Sequence, residues 1–417
     1  MTNSRKQNLD LPDGRALSPY NAAFRDDPQG VYDLLRLHAP QFQDGSYGRT
    51  FLTKHDDVRT AVRDKRFSVN ARLSKPGSYV RRIAATGLDT PAGETAYEPP
   101  LVLLDDPDHR RVRGLMSKAF TPKSIEAMRE RVQEITDTLL ENLVDKSEVN
   151  LISEFAGPLP TQAILDMMGL SACSTADFKR WSEDILMGYD PERNTATQNR
   201  LRDAYLSMSA VFKQAVEERR QTLGDDLISD MVRAQEDEDR LSDLEIISLC
   251  TQLMVAGNVT TTDLIGNGMY ALLTHPQQLA MLIADPALIP NAIEEMLRFD
   301  CPISETARVA REDLDLGGCP VHQGDTVTAS LSAANHDPAV FEQPHAFNLQ
   351  RDASDHLAFG SGIHVCLGAP LARLEAQLAI KTLLEKFPNI ALAPGNEPAR
   401  RILPFFSGFT ELRVTLD

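Results

Sequence analysis

The sequence predicts a mainly α-helical protein with small β-sheets (α+β), built as a single large domain over residues 1–417 around a long central helix. Three observations lead there. Apolar residues recur at helical spacing through most of the chain, strand-like runs are short, and one periodic segment is long enough to thread a whole domain. The helical segments fall at about 123–143, 159–169, 199–222, 242–274, 288–299 and 370–386. The segment 242–274 opens on Ser242 and Glu245, spaced as a capping box in which each side chain meets the other's backbone amide. It closes at Thr274, ahead of His275-Pro276. At about 1.5 Å per residue such a helix extends roughly 45 Å, enough to cross the molecule.

Short strand-like pieces lie near 49–53, 305–330 and 405–416. Within 312–328, Gly317-Gly318 and Gly324-Asp325 mark turns of a hairpin. The longest irregular stretch, about 75–104, is rich in Gly, Pro and Ala, and long loops inside compact proteins commonly serve as lids or binding loops.

Composition narrows the function. A chain that is 42% hydrophobic and 25% charged can bury a sizeable core. No apolar run approaches the ~18–20 residues that span a bilayer, so no membrane partner is expected. The opening residues MTNSRKQNLDLPDGR lack an apolar core, which predicts neither signal nor anchor and a cytoplasmic location. Sixty acidic against 43 basic side chains give a net charge of -17, which argues against nucleic acid as a partner. Five scattered cysteines, at 173, 250, 301, 319 and 366, predict free thiols rather than disulfides or structural zinc.

The most informative segment is Phe359-Gly-Ser-Gly-Ile-His-Val-Cys-Leu-Gly368, followed by Ala369-Pro370 and an amphipathic run. Pro370 suits the first turn of a helix, where no amide hydrogen is needed. Cys366 therefore precedes a helix N-terminus, whose partial positive charge favours a thiolate. Gly360, Gly362 and Gly368 would let backbone amides approach the sulfur. The spacing F-x-x-G-x-H-x-C-x-G resembles, at every fixed position, the haem-binding pattern of the cytochrome P450 family in its soluble bacterial form.

That resemblance implies haem b (iron protoporphyrin IX), with Cys366 as the axial sulfur ligand, Phe359 shielding the sulfur, Gly360 and Gly368 beside the cofactor, and His364 reaching a propionate. Glu295-Met-Leu-Arg298 resembles the family's E-x-x-R helix, which braces the cysteine loop. His109 and Arg113, four apart and on one helical face, and Arg308 in ETARVARED match propionate ligands. Ala334–Phe341 and Ser117–Pro122 also resemble the family, so the matches cover most of the chain in order.

Within the long helix, Ala256-Gly257-Asn258-Val259-Thr260-Thr261 resembles the family's oxygen-binding motif. Ala256 and Gly257 would leave room beside the iron, and the Thr260 hydroxyl would interrupt the helix ladder and hydrogen-bond bound oxygen. Val259 departs from the pattern: many relatives carry an acid there, and valine relays no proton. Water on Thr260, a path through Asn258 or a loop residue, or the use of peroxide would each answer the gap. Asp263 lies a turn further along and is not assigned the role from sequence.

Substrate contacts implied by the resemblance are the 80–104 loop, Leu253, Ala256, Ile303, Phe406 and Phe409, which suggest an apolar small-molecule substrate. No flavin or dinucleotide segment is present, since no G-x-G-x-x-G follows a strand. Electrons are therefore expected from an iron–sulfur ferredoxin with a ferredoxin reductase, docking on Arg110, Arg111 and Lys118. The leading expectation is a haem-thiolate monooxygenase. A peroxide-driven peroxygenase and a gas sensor without turnover are the competing readings.

Overall fold

The computed structural model describes residues 11–84, 98–235, 241–395 and 397–416. The central helix runs Asp243–Thr274, and the capping box is formed: the Glu245 amide donates to Ser242 Oγ at 3.1 Å, and the Ser242 amide to Glu245 Oε2 at 2.7 Å. It packs against helices Pro158–Met167, Thr175–Leu186, Thr195–Gln221, Ile289–Phe299 and Ala369–Lys386. The main apolar core runs continuously from Leu52 to Leu416, with the central helix through it.

A five-stranded sheet flanks the helices in the order Gln41–Asp44, Arg49–Leu52, Thr326–Ser330, Glu305–Ala310, Phe67–Ser68. Arg49–Leu52 and Thr326–Ser330 pair in parallel, and the other pairings are antiparallel. The predicted hairpin is present, Leu314–Leu316 pairing with Cys319–Val321 across Gly317-Gly318, whose φ angles of 61° and 89° exclude most side chains.

Several expectations change. The run 123–143 is two helices, Pro122–Ala127 and Arg129–Glu141, because Met128 closes a tight turn through its N–H to the Ile125 carbonyl. The 75–104 stretch contains a helix, Tyr79–Ala84, and a turn, Leu101–Leu103, while residues 85–97 lie outside the described residues. Helix Thr175–Leu186 was not predicted. Its buried stripe is only Phe178, Ser182 and Leu186. Among the described residues, no helix is long and apolar enough to cross a membrane, and all five cysteines are free.

A cysteine loop and a facing helix as candidate active site

The loop around Cys366 is shaped by backbone. The Cys366 amide donates to the Phe359 carbonyl at 2.9 Å, and the Gly360 amide to Leu357 at 2.8 Å. Gly360 and Gly362 hold φ of 68° and 75°. A side chain on Gly362 would also press the Arg63 Cα and the Val62 carbonyl at 3.2 Å. Gly362 thus seats the loop on helix His55–Arg63 rather than presenting an amide to sulfur, as the sequence suggested. Gly368 does present its amide, together with Ala369 at the start of the following helix.

Desolvation raises the Cys366 thiol above its ordinary range, and those two N–H groups, with the charges of Arg113 and Arg373, oppose it in favour of thiolate. Arg373 lies over the Phe359 ring at 4.6 Å and is held by Glu294 at 2.7 Å. Arg373 and His356 together hold the Glu294 carboxyl down to about 2, against the opposing effect of its own partial burial.

The predicted propionate residues converge. The Arg113 guanidinium donates to the Val365 carbonyl at 2.7 Å. The rings of His109 and His364 stand 4.3 Å apart, and His109 Nε2 is buried without a partner. Arg308 is 7% exposed, yet donates only to Thr306 Oγ1 and the Ala307 carbonyl, and no described carboxylate lies within ion-pair distance of it. Burial pulls Arg308 down to about 10, and burial followed by repulsion from Arg308 and His109 pulls His364 to about 3. Two imidazoles and two guanidiniums so crowded fit a dianionic ligand, because carboxylates would supply the missing charge and acceptors. The donor set and the sulfur therefore fit a haem.

Glu295 and Arg298 are wholly buried and bonded twice, at 2.7 and 2.8 Å. Arg298 also donates to the carbonyls of Asn335, Pro344 and Ala346, and Glu295 accepts from the Asn348 amide. Asn335 in turn accepts from the Leu357 amide at 2.7 Å, just ahead of the cysteine loop. The pair braces that segment; it is no surface bridge.

On the central helix, Ala256 is exposed and Thr260 half-buried. The expected break in the helix ladder is absent here. Gly257 faces Ile164, where a Cβ would come within 2.9 Å of a side-chain carbon, so its smallness serves helix packing. The Thr260 hydroxyl donates to the Ala256 carbonyl at 2.5 Å, and the helix is unbroken from end to end.

Of the predicted substrate residues, Ile303 and Phe406 meet as a β-bridge and Leu253 packs half-buried on the main core. Phe409 stands apart, against Tyr270 at 4.8 Å and Arg400 at 4.4 Å. The sequence reading missed an aromatic wall around Phe406. Tyr47 stacks on Tyr79 at 5.0 Å, Tyr79 on Phe405 at 5.6 Å, and Tyr189 meets Phe405 and Phe406 at 5.3 and 5.2 Å. Val259 packs into the same cluster. Tyr79 is fixed by Glu305 at 3.1 Å, and Phe405 holds a left-handed φ of 72°, a costly conformation for an aromatic residue. These residues come from segments far apart in sequence, and no local pattern joins them.

Of the docking residues, Arg110 pairs with Asp106 at 2.8 Å and Arg111 with Glu245, so Arg111 ties its helix to the central helix.

A profile of the cytochrome P450 family matches residues 81–285 and 283–401. The chain belongs to the cytochrome P450 family. Its relatives include a 6-deoxyerythronolide B hydroxylase of Saccharopolyspora erythraea, 38% identical over 400 residues, spanning 95% of this chain and 97% of that one. A vitamin D(3) 25-hydroxylase of Pseudonocardia autotrophica is 36% identical over 404 residues, 95% and 96% of the two chains. Among solved structures, P450BioI in complex with an acyl carrier protein superposes with a TM-score of 0.86 at 34% identity, covering 95% of this chain and 100% of that one. This cytochrome P450 is thus a haem-thiolate monooxygenase that binds haem b through a cysteine.

Proposed function

We propose that Cys366 is the haem ligand and that the protein inserts one oxygen atom from O2 into an apolar small organic molecule, with electrons from a ferredoxin and its reductase. The single observation that supports this best is the Cys366 sulfur, supplied with the Gly368 and Ala369 amides, on a loop where Arg113 meets the Val365 carbonyl and His364 faces His109 close to the buried Arg308. When bound, the haem supplies oxygen activation, helped by thiolate donation.

The chain's own residues divide the remaining work. Gly368 and Ala369 amides temper the sulfur's charge, Phe359 under Arg373 covers it, and His109, Arg113, Arg308 and His364 hold the carboxylates. Ala256 leaves space beside Thr260, whose hydroxyl turns from the Ala256 carbonyl to orient a water and pass on a proton. Ile303, Phe406, Phe405 and Tyr189 form an apolar wall for substrate, and Val259 keeps it dry. A relative named for vitamin D(3), and a solved structure holding testosterone at 30% identity, support an apolar substrate. Arg110 and Lys118 remain as docking cations for an acidic ferredoxin, in a protein that we place in the cytoplasm.

The test is the visible spectrum of the reduced, carbon monoxide-bound protein. A strongly red-shifted Soret band is expected for wild type, and its loss in Cys366→His. A red-shifted band surviving that substitution would assign the sulfur elsewhere.

A further inference from the structure

A cavity of about 500 Å³ opens on the central helix, lined by charged side chains and by apolar ones that include Val259 and Leu403 of the aromatic cluster. Lys179, Glu183 and Asp184 enter it from helix Thr175–Leu186, Arg200 from the next helix, Asn258 and Thr262 from the central helix, and Arg401 from the C-terminal hairpin. Its floor is unfinished. Asn258 Nδ2 and Arg401 Nε, on two residues that line it, are buried without a hydrogen-bond partner, and so is Asp263 Oδ2 behind Arg401, although buried polar groups are nearly always paired. Asp263 is wholly buried and meets Arg401 Nη2 through Oδ1 at 3.3 Å. Its carboxylate occupies the space beside Gly408, where a Cβ would fall 2.1 Å from Oδ1.

Position matters as much as burial. Residues three and four apart on a helix are surface neighbours. Asp263 is three residues beyond Thr260 and four beyond Val259, the position from which the acid is missing. It therefore stands one helical turn from both and is linked to the lining of the charged cavity through Arg401. A polar space of this size has room for several waters, each of which needs two to four polar partners.

We propose that Asp263, held by Arg401 behind the lining of this cavity, supplies the proton that Thr260 passes on during turnover, replacing an acid at position 259. This rests on the haem-thiolate reading of the site. The Asp263 O–H bond breaks and its proton moves to a water on Thr260 Oγ1, which releases a proton toward the reacting oxygen. The carboxylate is reprotonated from cavity water, and the electrons are those the monooxygenase reaction already consumes. Burial raises the Asp263 carboxyl to about 7, opposed by Arg401 and assisted by Asp300 and Glu183. A carboxyl so placed is half protonated near neutrality, as a relay requires. Lys179, lowered by its burial, and the Arg200–Asp184 pair at 3.6 Å complete the charges facing the cavity.

The holoprotein tests this with Asp263→Asn, Asp263→Glu and the double variant Val259→Asp/Asp263→Asn. We expect Asp263→Asn to lower product formed per reductant consumed about tenfold or more, with the lost electrons appearing as hydrogen peroxide. Asp263→Glu and the double variant should each recover much of the coupling, which a packing role would not allow. The wild-type coupling should also fall as pH rises through neutrality, and that dependence should vanish in Asp263→Asn.

A readout independent of turnover is the melting temperature. A carboxyl raised on folding stabilises at low pH and loses that contribution as pH climbs from its unfolded value to about 7. Wild type should therefore melt lower across that window relative to Asp263→Asn. Unchanged coupling in a folded, haem-loaded Asp263→Asn overturns the inference while leaving the family chemistry intact. Uncoupling in Glu375→Gln, the buried acid that meets Thr261 from the cysteine helix, but not in Asp263→Asn would overturn it too.

Discussion

Glu295–Arg298 and Asp263–Arg401 are both buried carboxylate–guanidinium pairs, yet they have been left in opposite states. The first is closed: Glu295 accepts from Arg298, the Asn348 amide and Arg351, and Arg298 reaches three backbone carbonyls. The second is open, with one long contact and unpartnered atoms on both members beside a cavity. Burial of charge alone does not separate scaffold from chemistry. The count of satisfied atoms does, because a complete network fixes geometry whereas an incomplete one keeps room for water and proton exchange.

The comparison breaks first at Arg298. Arg298→Ala should cost about 3–5 kcal/mol in denaturant unfolding, since it strands Glu295 and frees three carbonyls. Arg401→Ala should cost clearly less, because its partner can take a proton instead. Equal costs would mean that the open pair is scaffold after all. Arg308, a cation with no described carboxylate within ion-pair distance, sharpens the point from another side. Arg308→Ala should leave folding nearly unchanged but weaken haem retention by about 2 kcal/mol, roughly 30-fold, in transfer to a competing haem acceptor.

A smaller effect is expected at Glu294, whose carboxyl is held at about 2 by Arg373 and His356 and is 23% exposed. Its stabilisation is present above the ordinary carboxylate range and is lost as pH falls through about 2. Discounted for solvent, Glu294→Gln should cost about 1–2 kcal/mol at neutral pH and nothing at the acid end. Smallest of all, Ser242→Ala should cost about 1 kcal/mol through loss of the helix cap, at any pH where the protein is folded.

Much of the scaffold was legible because its determinants are local. Ser242 and Glu245 announce the central helix, Pro370 the cysteine helix, and paired glycines the 312–328 hairpin. The loop at 359–368 was legible for the same reason, since one contiguous run holds sulfur, turns and amides. Helix Thr175–Leu186 did leave a trace, the Ser174 cap and the helical spacing of Phe178, Ser182 and Leu186, of which only two are apolar. That stripe is too narrow to outweigh the polar residues around it. Where function depends on distant segments meeting, the sequence was silent. Tyr47, Tyr79, Tyr189 and Phe405 become a wall only through tertiary packing, and Asp263 gains meaning only when Arg401, 138 positions away, reaches it. At Gly257 and Thr260 the packing by Ile164 and the bond to the preceding turn were invisible in one dimension.

The bare backbone at Gly408 carries a consequence for how this chain can vary. Asp263 and any side chain at 408 compete for one volume, so the two sites cannot drift independently. A lineage that adds even a methyl group at 408 must first trade the acid for something smaller, and in doing so would surrender the open pair with Arg401. Substitution histories at these two sites should therefore move together, with glycine retained wherever the acid is.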